Sequence, residues 1–168
     1  MGTNILLIGM PGCGKTTFGS KLGKLLKMDF IDLDKYIEEK EGTSISSMFS
    51  ISEEYFRSKE RQYLKEMMLL NKTIISTGGG IIKSKSNIDV MHSCGYVVFI
   101  HRTPENILTD VDIYSRPLLQ DNKNRIYTLY DERVGLYESA CDFIVDNNGP
   151  LEDTLKELIK LIKAVELL

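Results

Sequence analysis

Several groups of residues in this 168-residue chain have the types and spacing for chemistry on phosphates and carboxylates. Gly9-Met10-Pro11-Gly12-Cys13-Gly14-Lys15-Thr16 matches G-x-x-x-x-G-K-[ST] in full. Such a loop lets backbone N–H groups converge on phosphate oxygens, adds the positive end of the following helix, and supplies a lysine for the β- and γ-phosphates and a hydroxyl for Mg²⁺. Asp32 and Asp34 flank Leu33, and strand alternation predicts both on one face at the carboxyl end of a strand. One carboxylate there can hold the water shell of a metal while the other accepts a hydrogen bond from an acceptor hydroxyl. Arg57 and Glu60 stand three apart in a predicted helix, so Glu60 can hold the guanidinium while its remaining donors face a ligand carboxylate. Gly78-Gly79-Gly80 permits close approach of backbone to a ligand, and Arg116 and Arg133 add two cations.

Each group has a plainer use as well. D-x-D occurs at polar strand ends and helix N-caps, Arg57–Glu60 alone reads as a solvated pair, three glycines make a loose loop, and single arginines decorate surfaces. Cys13 reads as a small filler, because a phosphate site needs no thiol chemistry. Its place at a helix start nevertheless predicts a reactive thiol, with alkylation inactivating the protein and ATP protecting it.

The elements that must position these residues alternate along the chain. Short β-rich runs (Asn4–Ile8, Phe30–Leu33, Thr73–Ser76, Tyr96–Ile100, Phe143–Val145) are separated by helical patterns. These patterns cover Lys15 to about Leu26, stretches through Leu70, Ser84–Met91, Asn124–Glu138 and Leu151–Val165. Continuous apolar strands between helices predict βαβ units and a parallel sheet covered on both faces. Ser52, followed by Glu53 and Glu54, predicts the start of the helix that carries Arg57. In the final helix Leu151, Leu155, Leu158, Ile159 and Ile162 share one face, a purely structural stripe. Tyr127, Tyr130, Val134 and Tyr137 recur at helical spacing and predict core rather than a base-stacking platform. Thr109–Asn124 is polar and aperiodic, holds Arg116-Pro117, and is the expected mobile lid.

Composition narrows the class. The length suits one domain over residues 1–168, and the formal charge of −3 with 27% charged residues argues against an electrostatic nucleic-acid binder. No apolar stretch approaches a membrane span and no signal peptide is recognisable, so a cytoplasmic, membrane-free protein is expected. Three widely spaced cysteines predict free thiols, with neither a disulfide framework nor a zinc site. Thirteen glycines are an ordinary number, yet two clusters hold six of them, so position carries the signal. A regulatory GTPase is improbable: Asn122-Lys123-Asn124-Arg125 has Arg where guanine recognition needs Asp, and Asp146-Asn147-Asn148-Gly149 fits D-x-x-G by chance.

Taken in order, the motifs resemble the shikimate kinases over essentially the whole chain. They are G-x-x-x-x-G-K-T at Gly9–Thr16, D-x-D at Asp32/Asp34, F-R-x-x-E at Phe56–Glu60, T-G-G-G at Thr77–Gly80, R-P-L-L at Arg116–Leu119 and R-x-x-x-Y at Arg133–Tyr137. The resemblance implies a three-layer α/β/α fold of P-loop kinase type with a five-stranded parallel sheet, a lid over about 109–124 and substrate-binding helices over about 34–62. It implies transfer of the ATP γ-phosphate to the 3-hydroxyl of shikimate, towards chorismate and the aromatic amino acids; a monomer is expected, although the sequence does not fix the oligomeric state. Carried over, Gly12, Cys13, Gly14, Lys15, Thr16 and Thr17 with Arg116 would bind ATP, while Thr16 and Asp32 would position Mg²⁺. Asp34, Arg57, Gly78, Gly79, Gly80 and Arg133 would bind shikimate, with Lys15, Asp34 and Arg116 catalytic. The sequence departs from the family where many members carry a basic residue against adenine and this chain has Leu108-Thr109-Asp110-Val111-Asp112, leaving the adenine contacts open. Two rivals are a related kinase for another carboxylated polyol such as gluconate, and a non-catalytic ATP-sensing module.

Overall fold

The computed structural model describes residues 3–110 and 123–165. Arg116 and most of the expected lid lie outside the described residues. In chain order the elements are β1 (Asn4–Ile8), α1 (Lys15–Leu26), β2 (Asp29–Asp32), α2 (Leu33–Glu41), α3 (Ile45–Ile51), α4 (Glu53–Glu66) and β3 (Thr73–Ser76). Then come α5 (Lys85–Cys94), β4 (Gly95–His101), α6 (Pro104–Asp110), α7 (Lys123–Ala140), β5 (Phe143–Asp146) and α8 (Leu151–Val165). Short 3₁₀ turns at Met67–Leu69 and Ile81–Lys83 lead into β3 and α5.

The strands form a five-stranded sheet in the order β2-β3-β1-β4-β5, with every neighbouring pair parallel. Burial follows that order. Every residue of central β1 is buried, whereas the edge strands β2 and β5 are partly exposed. An apolar run buried on both faces belongs in the middle of a parallel sheet.

Topology also sets the layers. The β1–α1–β2 connection leaves the sheet centre towards one edge, while β3–α5–β4 crosses β1 towards the other. Right-handed crossovers therefore put α1 on one face and α5 on the opposite one. The α2–α4 unit and α6–α7 follow α5, and α8 packs beside α1. Gly19 and Gly23 let α1 lie tight on β2: a Cβ on Gly19 would overlap the Phe30 ring, and one on Gly23 would come within 3.2 Å of Phe30 Cβ.

The boundary between β2 and α2 corrects one expectation. The strand does not run on through Leu33; it ends at Asp32, whose carboxylate caps α2 by accepting from the Lys35 N–H at 3.3 Å. Asp34 therefore projects from the first turn of a helix, not from the same strand face as Asp32. An aspartate at a strand end is equally a strong N-cap, and here capping prevails. The predicted cap on α4 is present, with Ser52 Oγ accepting from the Tyr55 N–H at 3.0 Å.

Candidate active site

The two glycine clusters follow β1 and β3, adjacent strands whose connections depart in opposite directions. In an open parallel sheet that arrangement leaves a crevice at the carboxyl ends. Gly9, Gly12 and Gly14 have φ of 146°, 82° and 105°, backbone that residues with a Cβ rarely adopt. Lys15, nearly buried, donates through Nζ to the carbonyls of Gly9 at 2.8 Å and Met10 at 2.9 Å. Thr16 and Thr17 are exposed in the first turn of α1. The Thr16 hydroxyl donates to Asp32 Oδ2 at 2.7 Å and lies 3.4 Å from Ser76 Oγ.

Cys13 behaves as a filler. Its side chain is 1% exposed, and a Cβ placed on Gly9 would come within 2.8 Å of its sulfur. The expectation of a readily alkylated thiol is thereby corrected: the helix start is where it was predicted, but the packed loop covers the sulfur.

The second cluster has a different reason for being glycine. None of Gly78, Gly79 and Gly80 lies in the left-handed region; what each needs is space. A Cβ on Gly78 would come within 2.9 Å of Asp34 Oδ1, one on Gly79 within 2.9 Å of Pro11 Cδ, and one on Gly80 would overlap the Arg57 guanidinium. The turn thus presses in succession on the start of α2, on the phosphate loop and on α4. From the far side α7 reaches the same turn, where Gly79 O accepts from Tyr137 Oη at 2.6 Å and Arg133 Nη1 at 3.3 Å.

Electrostatics at this junction are uneven. Asp34 Oδ1 is buried and finds no hydrogen-bond partner among the described residues. Burial, then the nearby Asp32 and Glu60 carboxylates, push the Asp34 acid up to about 6, with Lys15 opposing. Glu60, 1% exposed, accepts from Arg57 Nη1 through both oxygens at 2.9 Å and is steadied by Asn87 Nδ2 at 3.5 Å. Burial raises the Glu60 acid and Arg57 opposes the rise. The guanidinium lies 5.1 Å from the Phe56 ring centroid and 5.8 Å from that of Phe49, while Glu53, bound by Lys83 at 2.9 Å, stands 3.4 Å from its Nε. A guanidinium so held keeps one orientation.

The fold therefore gathers Lys15, Thr16, Asp32, Asp34, Arg57, the three glycines and Arg133 around one crevice. Sequence reasoning missed Pro11 as the contact of Gly79 and Asn87 as the support of Glu60. It placed Tyr137 in the core stripe and, with Arg133, in the R-x-x-x-Y motif, without assigning the two a shared target in the Gly79 carbonyl.

A chain with this crevice matches the family model for shikimate kinase over residues 11–163. It is 43% identical over 162 residues to the shikimate kinase of Clostridium botulinum (strain Alaska E43 / Type E3), covering 96% of this chain and 98% of that one. The chain belongs to the shikimate kinase family. The solved shikimate kinase of Acinetobacter baumannii, in complex with shikimate, superposes with a TM-score of 0.86 at 31% identity, covering 96% of this chain and 93% of that chain. A gluconokinase from Sinorhizobium meliloti 1021 superposes with a TM-score of 0.63 at 17% identity, covering 97% and 93%, a likeness of fold alone. No helix among the described residues is long and apolar enough to cross a membrane.

Proposed function

We propose that this protein is a shikimate kinase, transferring the γ-phosphoryl group of ATP to the 3-hydroxyl of shikimate to give shikimate 3-phosphate and ADP. The observation that carries the reading is the Gly78–Gly80 turn, which packs against the Asp34 carboxylate and two guanidinium groups beside the phosphate loop. A small carboxylated polyol has the matching chemistry: Arg57 and Arg133 receive its carboxylate, Asp34 its hydroxyl, and the Gly79 backbone its ring edge.

In this reading the acceptor oxygen forms a bond to the γ-phosphorus as the bond from that phosphorus to the bridging β–γ oxygen breaks. Asp34, ionised above about pH 6, orients the hydroxyl and takes its proton. Lys15 leaves the loop carbonyls for the β- and γ-oxygens, and Arg116 neutralises charge from the lid. Positioning and charge neutralisation suffice for a loose phosphoryl-transfer transition state. Thr16 and Asp32, a hydroxyl and a carboxylate already 2.7 Å apart, suit a hard cation such as Mg²⁺. No group of three or more metal-ligating side chains occurs among the described residues, so phosphate and water oxygens would complete its shell. When bound, Mg²⁺ would supply charge neutralisation on the phosphates. The expected setting is the cytoplasm and the expected state a monomer.

Coupled measurement of ADP release with shikimate, gluconate or no acceptor tests the reading. ADP release is expected with shikimate only. Turnover with gluconate instead would favour the polyol-kinase alternative, and ATP binding with no acceptor-dependent turnover would favour a sensing module.

A further inference from the structure

The string Asp146-Asn147-Asn148-Gly149, with no place in the reaction just described, lies at the carboxyl end of β5 and reaches back to the phosphate loop. Asn147 is 4% exposed, and its Nδ2 donates to the Cys13 carbonyl at 2.9 Å across 134 residues of sequence. Its Oδ1 accepts from the Thr154 hydroxyl at 3.1 Å, so the amide has one sensible orientation: reversed, it would set oxygen against oxygen at Cys13. The Asn147 backbone is held too, its N–H donating to the His101 carbonyl at 2.8 Å and its carbonyl accepting from Arg102 Nη1 at 2.6 Å. The amide is a fixed point on the sheet.

The Cys13 carbonyl and the Gly14 N–H belong to one planar trans peptide and point to opposite sides of it. Holding the carbonyl on Asn147 therefore aims the Gly14 N–H the other way, as one of the donors with which a glycine-rich loop meets a phosphate oxygen. The need for restraint is real at this position, because Gly14 has φ 105° and no side chain to limit rotation. Gly14 also leaves room for the contact, since a Cβ there would stand 3.3 Å from Asn147 Nδ2.

We propose that Asn147, oriented by Thr154, is a positioning residue for nucleotide binding that locks the Cys13–Gly14 peptide with its N–H towards the phosphate. The proposal rests on the reading of the loop as an ATP site, and not on the identity of the acceptor. It is tested by titrating the full-length protein with ADP and Mg²⁺ in a calorimeter, with shikimate titrated separately and the kinetic constants measured for both substrates. Asn147→Asp, of the same shape, removes the donor and adds a negative charge near the phosphates. The ADP dissociation constant and the ATP KM are expected to rise by about ten-fold or more, while shikimate affinity stays within about two-fold and kcat falls far less than ATP affinity.

Thr154→Val removes the hydroxyl that faces the amide and that also donates to the Asp146 carbonyl at 3.0 Å, and is expected to weaken ADP binding by about three-fold; Thr154→Ser, keeping the hydroxyl, should regain what Thr154→Val loses. If Asn147→Asp does not fold, the Thr154 pair decides. Unchanged ADP affinity in the folded variants overturns the proposal, as does a parallel loss of shikimate affinity, which would mark a general structural role. Because ADP binding needs no acceptor, these outcomes remain readable even if shikimate is not the substrate.

Discussion

At the residue scale the most informative side chain is Asp34. Its acid is raised from 3.8 to about 6 in the fold, so the ionised form is less favourable there than in the unfolded chain. The resulting cost is full above about pH 6 and shrinks as pH falls towards 4, where folded and unfolded chains are both increasingly protonated. Asp34→Asn is therefore expected to stabilise the protein at pH 7.5, by about 1–3 kcal/mol, and to lose most of that gain at pH 4.5. The same substitution should lower kcat by about 10²–10⁴-fold, and wild-type activity should fall with acidification through pH 6. Scanning calorimetry at the two pH values and a pH–rate profile check this; equal melting temperatures at pH 7.5 would contradict the raised acid. A residue that destabilises its own fold and finds no partner for a buried oxygen among the described residues fits the proposed ligand role better than a stabilising one.

Helix α7 is the element whose placement matters most to the acceptor side. Arg133 and Tyr137, one turn apart, both reach the Gly79 carbonyl, and Tyr137 is fully buried with its ring 5.1 Å from that of Phe99. Burial pushes the phenol up to about 12, so it stays a donor at any working pH. The helix thereby fixes the middle of the glycine turn, and in the proposed function the remaining donors of Arg133 serve the acceptor. Tyr137→Phe keeps the packing and removes the donor. It should cost about 1 kcal/mol of stability and raise the shikimate KM about three- to ten-fold, leaving the ATP KM unchanged, as steady-state kinetics can show. An equal rise in both constants would mean that α7 supports the sheet and not the turn.

Across the whole molecule, net charge and ligand charge part company. The chain carries a formal charge of −3, yet the fold concentrates Lys15, Arg57 and Arg133 at one crevice, as the proposed binding of two anionic substrates requires. The three cysteines are free, as expected, but their reactivity is decided by packing. Cys13 and Cys94 are each 1% exposed, burial lifts the Cys94 thiol to about 11, and Cys141 is half-buried away from the crevice. Iodoacetamide at pH 8 is therefore expected to modify Cys141 first in the native protein with activity retained, and Cys13 and Cys94 only after unfolding in urea. Peptide mass spectrometry with a parallel activity assay reads this; fast labelling of Cys13 with ATP-sensitive inactivation would restore the reactive-thiol expectation.

Much of the architecture was legible locally. The β1–loop–α1 unit and α8 have the bounds their patterns predict, because apolar periodicity, helix starts and glycines that need positive φ are all short-range properties. The parallel sheet followed from the alternation of strands and helices. The β2–α2 boundary did not, since an aspartate serves equally at a strand end and as a cap, and only the placement of α2 selects between them. Nor could local pattern show that the second glycine cluster is required for close approach to Asp34, Pro11 and Arg57. The Gly79 carbonyl that Tyr137 meets and the Cys13 carbonyl that Asn147 meets were equally out of reach. These partners stand far away in sequence and meet only once the strand order β2-β3-β1-β4-β5 is set. By itself, then, the sequence determined which residues are equipped for phosphate and carboxylate chemistry and which elements carry them. Tertiary structure decided which of them touch, because a contact between distant residues is a property of strand order and register, which no short stretch of chain encodes.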